Sequence, residues 1–219
     1  MGWLVNAYDF LCQGGLVMAP LMACSIISLA VTIERFTAIR TATIDSEALT
    51  NRVQEHLLEG ETRQALKQCE HAAGLVGNVL ASALRLRVLN PNSMERAMQE
   101  EASKRTPELR KRLSWLDTII TIAPLLGLLG TVTGMIGAFH VISTKQGMSA
   151  PTAITGGVAE ALIATAAGLI IAIGTLIGYN SLNERVSSVI SDAEARANQL
   201  INIIGEIGER KNEATKLSA

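Results

Sequence analysis

Apolar and polar positions alternate along this chain in long blocks rather than in short amphipathic repeats. Leu16 to Ile33 carries no charged residue and is closed by Glu34 and Arg35. A second uncharged stretch lies between Asp117 and Lys145, and a third runs from near Pro151 to about Tyr179 with Glu160 as its single acid. A helix needs about 20 mostly apolar residues to cross a bilayer. The pattern therefore predicts three spanning helices over 16–33, 118–142 and 154–179. Pro20 falls in a first turn, where its missing N–H costs least, whereas Pro124 lies inside the second span and frees the carbonyl of Ile120.

Between and after the spans the pattern changes to that of water-exposed helices. The segment 34–117 is rich in Ala, Leu, Glu, Gln and Arg, all good helix formers. Gly60, Gly74 and Gly77 punctuate it, and Asn90-Pro91-Asn92 marks a turn. Asn92 with Glu95 predicts a capping box. Thr106-Pro107-Glu108 predicts a helix start that continues into the second span. In the tail, 180–219, an apolar seam runs through Leu182, Val186, Val189, Ala193, Ala197, Leu200, Ile204 and Ile207 at spacings of three and four. Span three and this tail should form one helix of about 50 residues, roughly 75 Å at 1.5 Å per residue. Such a helix packs either on the chain's own middle segment or between subunits. The fold class is thus an all-α integral membrane protein, with three transmembrane helices and long cytoplasmic helical extensions.

Composition agrees. Apolar residues make up 48% of the 219 and aromatics only 3%. That Leu, Ile, Val, Ala and Gly mixture suits helices packed closely in lipid. Net charge is −1, which gives no reason to expect a nucleic-acid partner. Charge placement matters more. Thirteen of the nineteen basic residues fall between Glu34 and Arg112 and five follow Asn180, while Lys145 alone occupies the link 143–153. Under the positive-inside rule the N-terminal segment 1–15 and that link are periplasmic, and the middle segment and tail are cytoplasmic. The first fifteen residues hold no Lys or Arg, so no cleavable signal is expected. Trp3 and Tyr8 suit the outer interface. Cys12, Cys24 and Cys69 form neither a CxxC pair nor a metal spacing, so neither metal nor cofactor is expected.

The spans carry the candidate chemistry. Gly127, Gly130, Gly134 and Gly137 share one face of span two, and Ala161, Thr165, Gly168, Ala172 and Thr175 share one face of span three. Small residues let backbones approach where lipid offers no hydrophobic drive, so both faces read as helix-packing surfaces. Glu160 must face protein or water, because a carboxylate at bilayer depth costs on the order of 2.5–3.5 kcal/mol. It is also close enough to the outer surface to be hydrated there. Thr131, Thr133 and Thr165 can satisfy their hydroxyls on their own helix backbone. Glu160 and Thr165 stand about 140° apart around an ideal helix, so they do not share one line of positions. His140 suits an interfacial position or a proton relay. No paired acids or nucleophile–base pair occurs in the spans, and Ser143 near His140 lacks a third group, which argues against an intramembrane enzyme.

Two segments, GLLGTVTGM (127–135) preceded by Ile122-Ala123-Pro124, and GGVAEALIATAAGLIIAI (156–173) followed by Tyr179-Asn180, resemble the signatures of the ExbB/TolQ/MotA family. The ERF sequence after span one and the GETRQALKQCE stretch (60–70) agree, and the three-span plan is closest to the ExbB/TolQ branch. Leu129 and Thr133 depart from the familiar pattern, where bulkier aromatics often stand. The resemblance implies a homo-oligomer, a pentamer, in the bacterial inner membrane. It would enclose the helices of an ExbD/TolR-type single-span partner whose membrane aspartate carries protons, and would pass work to a TonB/TolA-like transducer. It also implies that Thr131 and Thr165 are pore-lining hydroxyls and that Glu160 is the membrane glutamate of the ion pathway. The alternative is a membrane scaffold whose small-residue faces only build an assembly.

Overall fold

The computed structural model describes residues 15–42, 45–72, 74–86, 90–144 and 150–217. Trp3, Tyr8, Cys12 and Lys145 lie outside them. The described residues form seven helices and no strand: α1 (Met18–Ala42), α2 (Ser46–Leu58), α3 (Thr62–His71), α4 (Leu75–Leu84), α5 (Pro91–Arg110), α6 (Leu113–Thr144) and α7 (Ala150–Leu217). Stretches of three are long and apolar enough to cross a membrane, beginning at Met18 in α1, at Leu113 in α6 and at Thr155 in α7. The chain divides into two units, Met1–Arg35 with Arg112–Leu182, and Phe36–Lys111 with Asn183–Ala219.

In the first unit small residues pack α6 against α7, and many of the large ones face outward. Val17 just before α1, Met18 and Leu21 of α1, Ile119 and Ala123 of α6, and Ala167 and Ala172 of α7 form its buried cluster. Leu29, Leu125, Leu128, Ile136, Phe139, Ile170 and Ile177 are exposed. That inversion is what a lipid solvent permits, since acyl chains are as apolar as leucine. Helix α1 is tied to α7 by Ser28 and Thr175, whose hydroxyl oxygens are 2.6 Å apart and buried. Further along α1, Arg112 donates to Glu34.

The second unit is packed as a water-soluble helical domain is. Leu49 and Val53 of α2, Cys69 of α3, Val79 and Leu80 of α4, and Met94 and Met98 of α5 surround Ala193, Leu200 and Ile204 of α7. The tail seam therefore packs on the chain's own middle segment. Burial pushes the Cys69 thiol up to about 12, so it is a packing residue and not a reactive one. Asp45 caps α2 by accepting from the amide of Ala48.

Four expectations change. Helix α5 begins two positions earlier than the Asn92 capping box would have it. Asn90 is the cap, accepting from the Asn92 amide at 3.0 Å, with Pro91 at the first helical position. Thr106-Pro107 does not start a helix but lies inside α5, where the Thr106 hydroxyl donates to the Ala102 carbonyl at 2.8 Å. Pro107 stands in the last turn of α5, which ends at Arg110. The break sits at Lys111 (φ −53°, ψ 136°) and Arg112 (φ 66°), as at the central positions of a type II turn, where glycine is usual at the second. Gly60 and Gly74 do have positive φ, but Gly77 lies within α4. There an added Cβ would stand 2.5 Å from the Ala72 carbonyl oxygen. Helix α7 is 68 residues long, because Gly205 and Gly208 do not interrupt it.

Candidate functional site

The seam between α6 and α7 is built by removing side chains. A Cβ on Gly127 would lie 3.0 Å from the Thr165 Cα, one on Gly130 2.5 Å from the Ala164 Cβ, and one on Gly134 3.1 Å from the Ala161 Cβ. From the other side, a Cβ on Gly168 would lie 2.5 Å from the Ala123 carbonyl oxygen and 3.2 Å from the Gly127 Cα. Gly137, the fourth member of the span-two stripe, has nothing within 4 Å of that position. Ala172 is buried in the cluster that α1 shares.

This close approach puts a hydroxyl of one helix on the backbone of the other. Thr165, half-buried, donates to the Gly127 carbonyl at 3.0 Å. Its hydrogen is thereby used, and its oxygen keeps its lone pairs as acceptors. Thr131, also half-buried, sits four residues beyond Gly127 and donates within its own helix to the Leu128 carbonyl at 2.7 Å. Thr133 is exposed and shares its hydrogen between the carbonyls of Leu129 and Gly130.

Glu160 is held elsewhere. Its half-buried carboxyl lies against Gly15, just before the first turn of α1, in the place where a Cβ of residue 15 would be. The structure thus joins Thr165 to Gly127 but does not bring Glu160 to Thr165, in keeping with their angular separation on α7. Asp117 and His140 are both exposed on α6. Three features escaped sequence reasoning: Gly15 against Glu160, Ser28 with Thr175, and Glu34 with Arg112. The only signal for the second was three hydroxyls, Ser25, Ser28 and Thr32, in an otherwise apolar run. Thr32 meets Gly178, whose Cβ would lie 3.1 Å from the threonine methyl.

Among the described residues, one group brings three donor atoms together that could hold a cation. At the α2–α3 turn, His56 Nδ1 lies 3.3 Å from Glu61 and 4.0 Å from Glu59.

Residues 37–195 match the model of the MotA/TolQ/ExbB proton channel family. The chain belongs to that family. Its relatives include the ExbB-like biopolymer transport protein 1 of Synechocystis sp., 37% identical over 80% of this chain and 69% of the relative. The ExbB-like protein 3 of the same organism is 30% identical over 92% and 98%. The Tol-Pal system protein TolQ of Haemophilus influenzae is 31% identical over 81% and 82%. This member of the proton channel family is therefore an all-α membrane protein of the ExbB/TolQ branch and a channel subunit, not an enzyme. The matched region contains all of α6 and the spanning part of α7, where Thr131, Glu160 and Thr165 reside.

Proposed function

We propose that this chain is the channel-forming subunit of a proton-motive-force-driven motor in the bacterial inner membrane. Several copies, five by family resemblance, form a ring around an ExbD/TolR-type single-span partner. The partner passes work through a TonB/TolA-like transducer to an outer-membrane process such as TonB-dependent transport. The N-terminus and the 143–153 link are periplasmic, and the middle segment and tail are cytoplasmic, in line with the distribution of Lys and Arg.

The observation that carries this reading is an incomplete relay. Glu160 is the single acid between Asp117 and Tyr179, so the chain alone offers no continuous path for a proton. A partner carboxyl docked beside Thr131 and Thr165 supplies the missing group. Because Thr165 gives its hydrogen to the Gly127 carbonyl, it can accept a hydrogen bond from a protonated acid but offers none to a carboxylate. Protonation therefore alternately favours and disfavours the partner's contact with the wall. A membrane potential supplies about 2.3 kcal/mol per charge per 100 mV to drive that cycle.

A scaffold without ion conduction is the second reading. It is favoured by one fact: Thr131, Thr133 and Thr165 all find backbone acceptors within the chain. Reconstitution with the partner in liposomes separates the two readings. Thr165→Val should leave the assembly intact and abolish proton flux, and Thr165→Ser should restore it. Normal flux in Thr165→Val removes Thr165 from the path. Absence of flux in the unmodified complex favours the scaffold.

A further inference from the structure

We propose that Gly15 is a positioning residue for Glu160: its bare Cα provides the space in which the Glu160 carboxyl lies at the start of the first spanning helix. The inference rests on the reading that Glu160 belongs to the ion pathway.

Two separate features make residue 15 a glycine. Its φ is +70°, in the left-handed region that side chains disfavour. A Cβ there would also coincide with the Glu160 carboxyl, lying within contact of Oε1 and 2.9 Å from Cδ. The first feature belongs to the turn that leads into α1, whose amide of Met18 bonds the Gly15 carbonyl at 3.1 Å. The second belongs to Glu160 alone. The neighbouring contacts fix the register. One turn further along α7, Ala164 meets the position of a Gly130 side chain, and Val17 is 3.8 Å from that same position. Glu160 therefore stands in a notch between the amino end of α1 and α7, while Thr165 points to α6.

Glycine adds no side chain that would compete with the carboxyl for the notch. Among the described residues no hydrogen bond or ion pair reaches the Glu160 carboxyl. A methyl group at residue 15 would turn the carboxyl out of the notch into a different balance of water and lipid. Its proton affinity would move with it.

The test is a double-mutant cycle on the full chain, assembled with its single-span partner. Its four arms are the parent, Gly15→Ala, Glu160→Ala and the double variant, each read by thermal unfolding and by proton flux against pH in liposomes. Backbone strain at residue 15 is the same in both backgrounds, so it cancels and leaves only the coupling between the two side chains. We expect Gly15→Ala to lower the melting temperature less in the Glu160→Ala background than in the parent. Its flux should fall by roughly tenfold, within the range that about 1 Å of misplacement can produce, and the pH midpoint of flux should shift. Gly15→Asn, which tolerates a left-handed backbone, repeats the cycle should Gly15→Ala fail to accumulate. Additive melting shifts, or a pH profile that superposes on the parent's, would overturn the positioning role. Undiminished flux in Glu160→Ala alone would instead overturn the pathway reading beneath it, while the melting data would still report whether the two residues touch.

Discussion

The two units of this chain solve the same problem, holding helices together, with opposite residues. At the α6–α7 seam the contact is made by Gly127, Gly130, Gly134, Ala161, Ala164 and Gly168, and the large side chains face outward. In the second unit Val53, Leu80, Met94 and Leu200 fill the interior. The difference lies in the solvent. In water, burying a leucine stabilises by about 1.5–3 kcal/mol, so large side chains go inside. In lipid that gain vanishes, and what remains is backbone approach and hydrogen bonding, which large side chains obstruct.

Two substitutions that end at alanine sharpen the contrast from opposite directions. Leu80→Ala removes carbons from a fully buried site and should destabilise the second unit by about 2–5 kcal/mol, measured by chemical denaturation of the full chain. Gly168→Ala adds one carbon to the first unit, 2.5 Å from a backbone oxygen that cannot swing aside. It should lower thermal stability by about 1–3 kcal/mol, even though alanine is the better helix former by about 1 kcal/mol. A stabilising Gly168→Ala would show that the seam is not packed backbone to backbone.

The smallest effect tests the charged surface of the second unit. Lys104 donates to Glu100, both on the exposed face of α5, and the contact lowers the carboxyl's pKa and raises the ammonium's. The acid's contribution is present above its unfolded value and is lost as pH falls through its folded one. The base's contribution is present below its unfolded value and is lost as pH rises through its folded one. Lys104→Ala should therefore leave the melting temperature unchanged within error near neutral pH. What slight difference exists should disappear at either extreme.

The block pattern of the chain was enough to read its helical class, because lipid imposes long uncharged runs that nothing else in the sequence imitates. The small-residue faces were legible for the same reason. The break before α6 was not. A Thr-Pro-Glu triplet looks like a helix start, yet Pro107 lies late in α5, and the turn falls on Arg112, a residue that ordinarily avoids positive φ. Asn90 and Asn92 both carry capping side chains, and only the position of Pro91 decides between them. At the candidate site, Thr165 and Glu160 stood out as polar groups in apolar runs. Their destinations did not, since Gly127 is 38 residues from Thr165 and no local rule links Gly15 to Glu160.

The contact between Ser28 and Thr175 has a direction. Thr175 already gives its only hydrogen to the Ile171 carbonyl, 2.7 Å away, so the 2.6 Å link to Ser28 must be donated by the serine. The two partners are therefore unequal: deleting the threonine hydroxyl breaks two links, whereas deleting the serine hydroxyl breaks one. Only the link to Ser28 attaches α1, since the bond to Ile171 lies within α7; at about 0.6 kcal/mol per hydrogen bond in a membrane interior, Thr175→Val and Ser28→Ala should weaken the attachment of α1 about equally. Exchanging the two residues, Ser28→Thr with Thr175→Ser, should keep the direction and most of the strength.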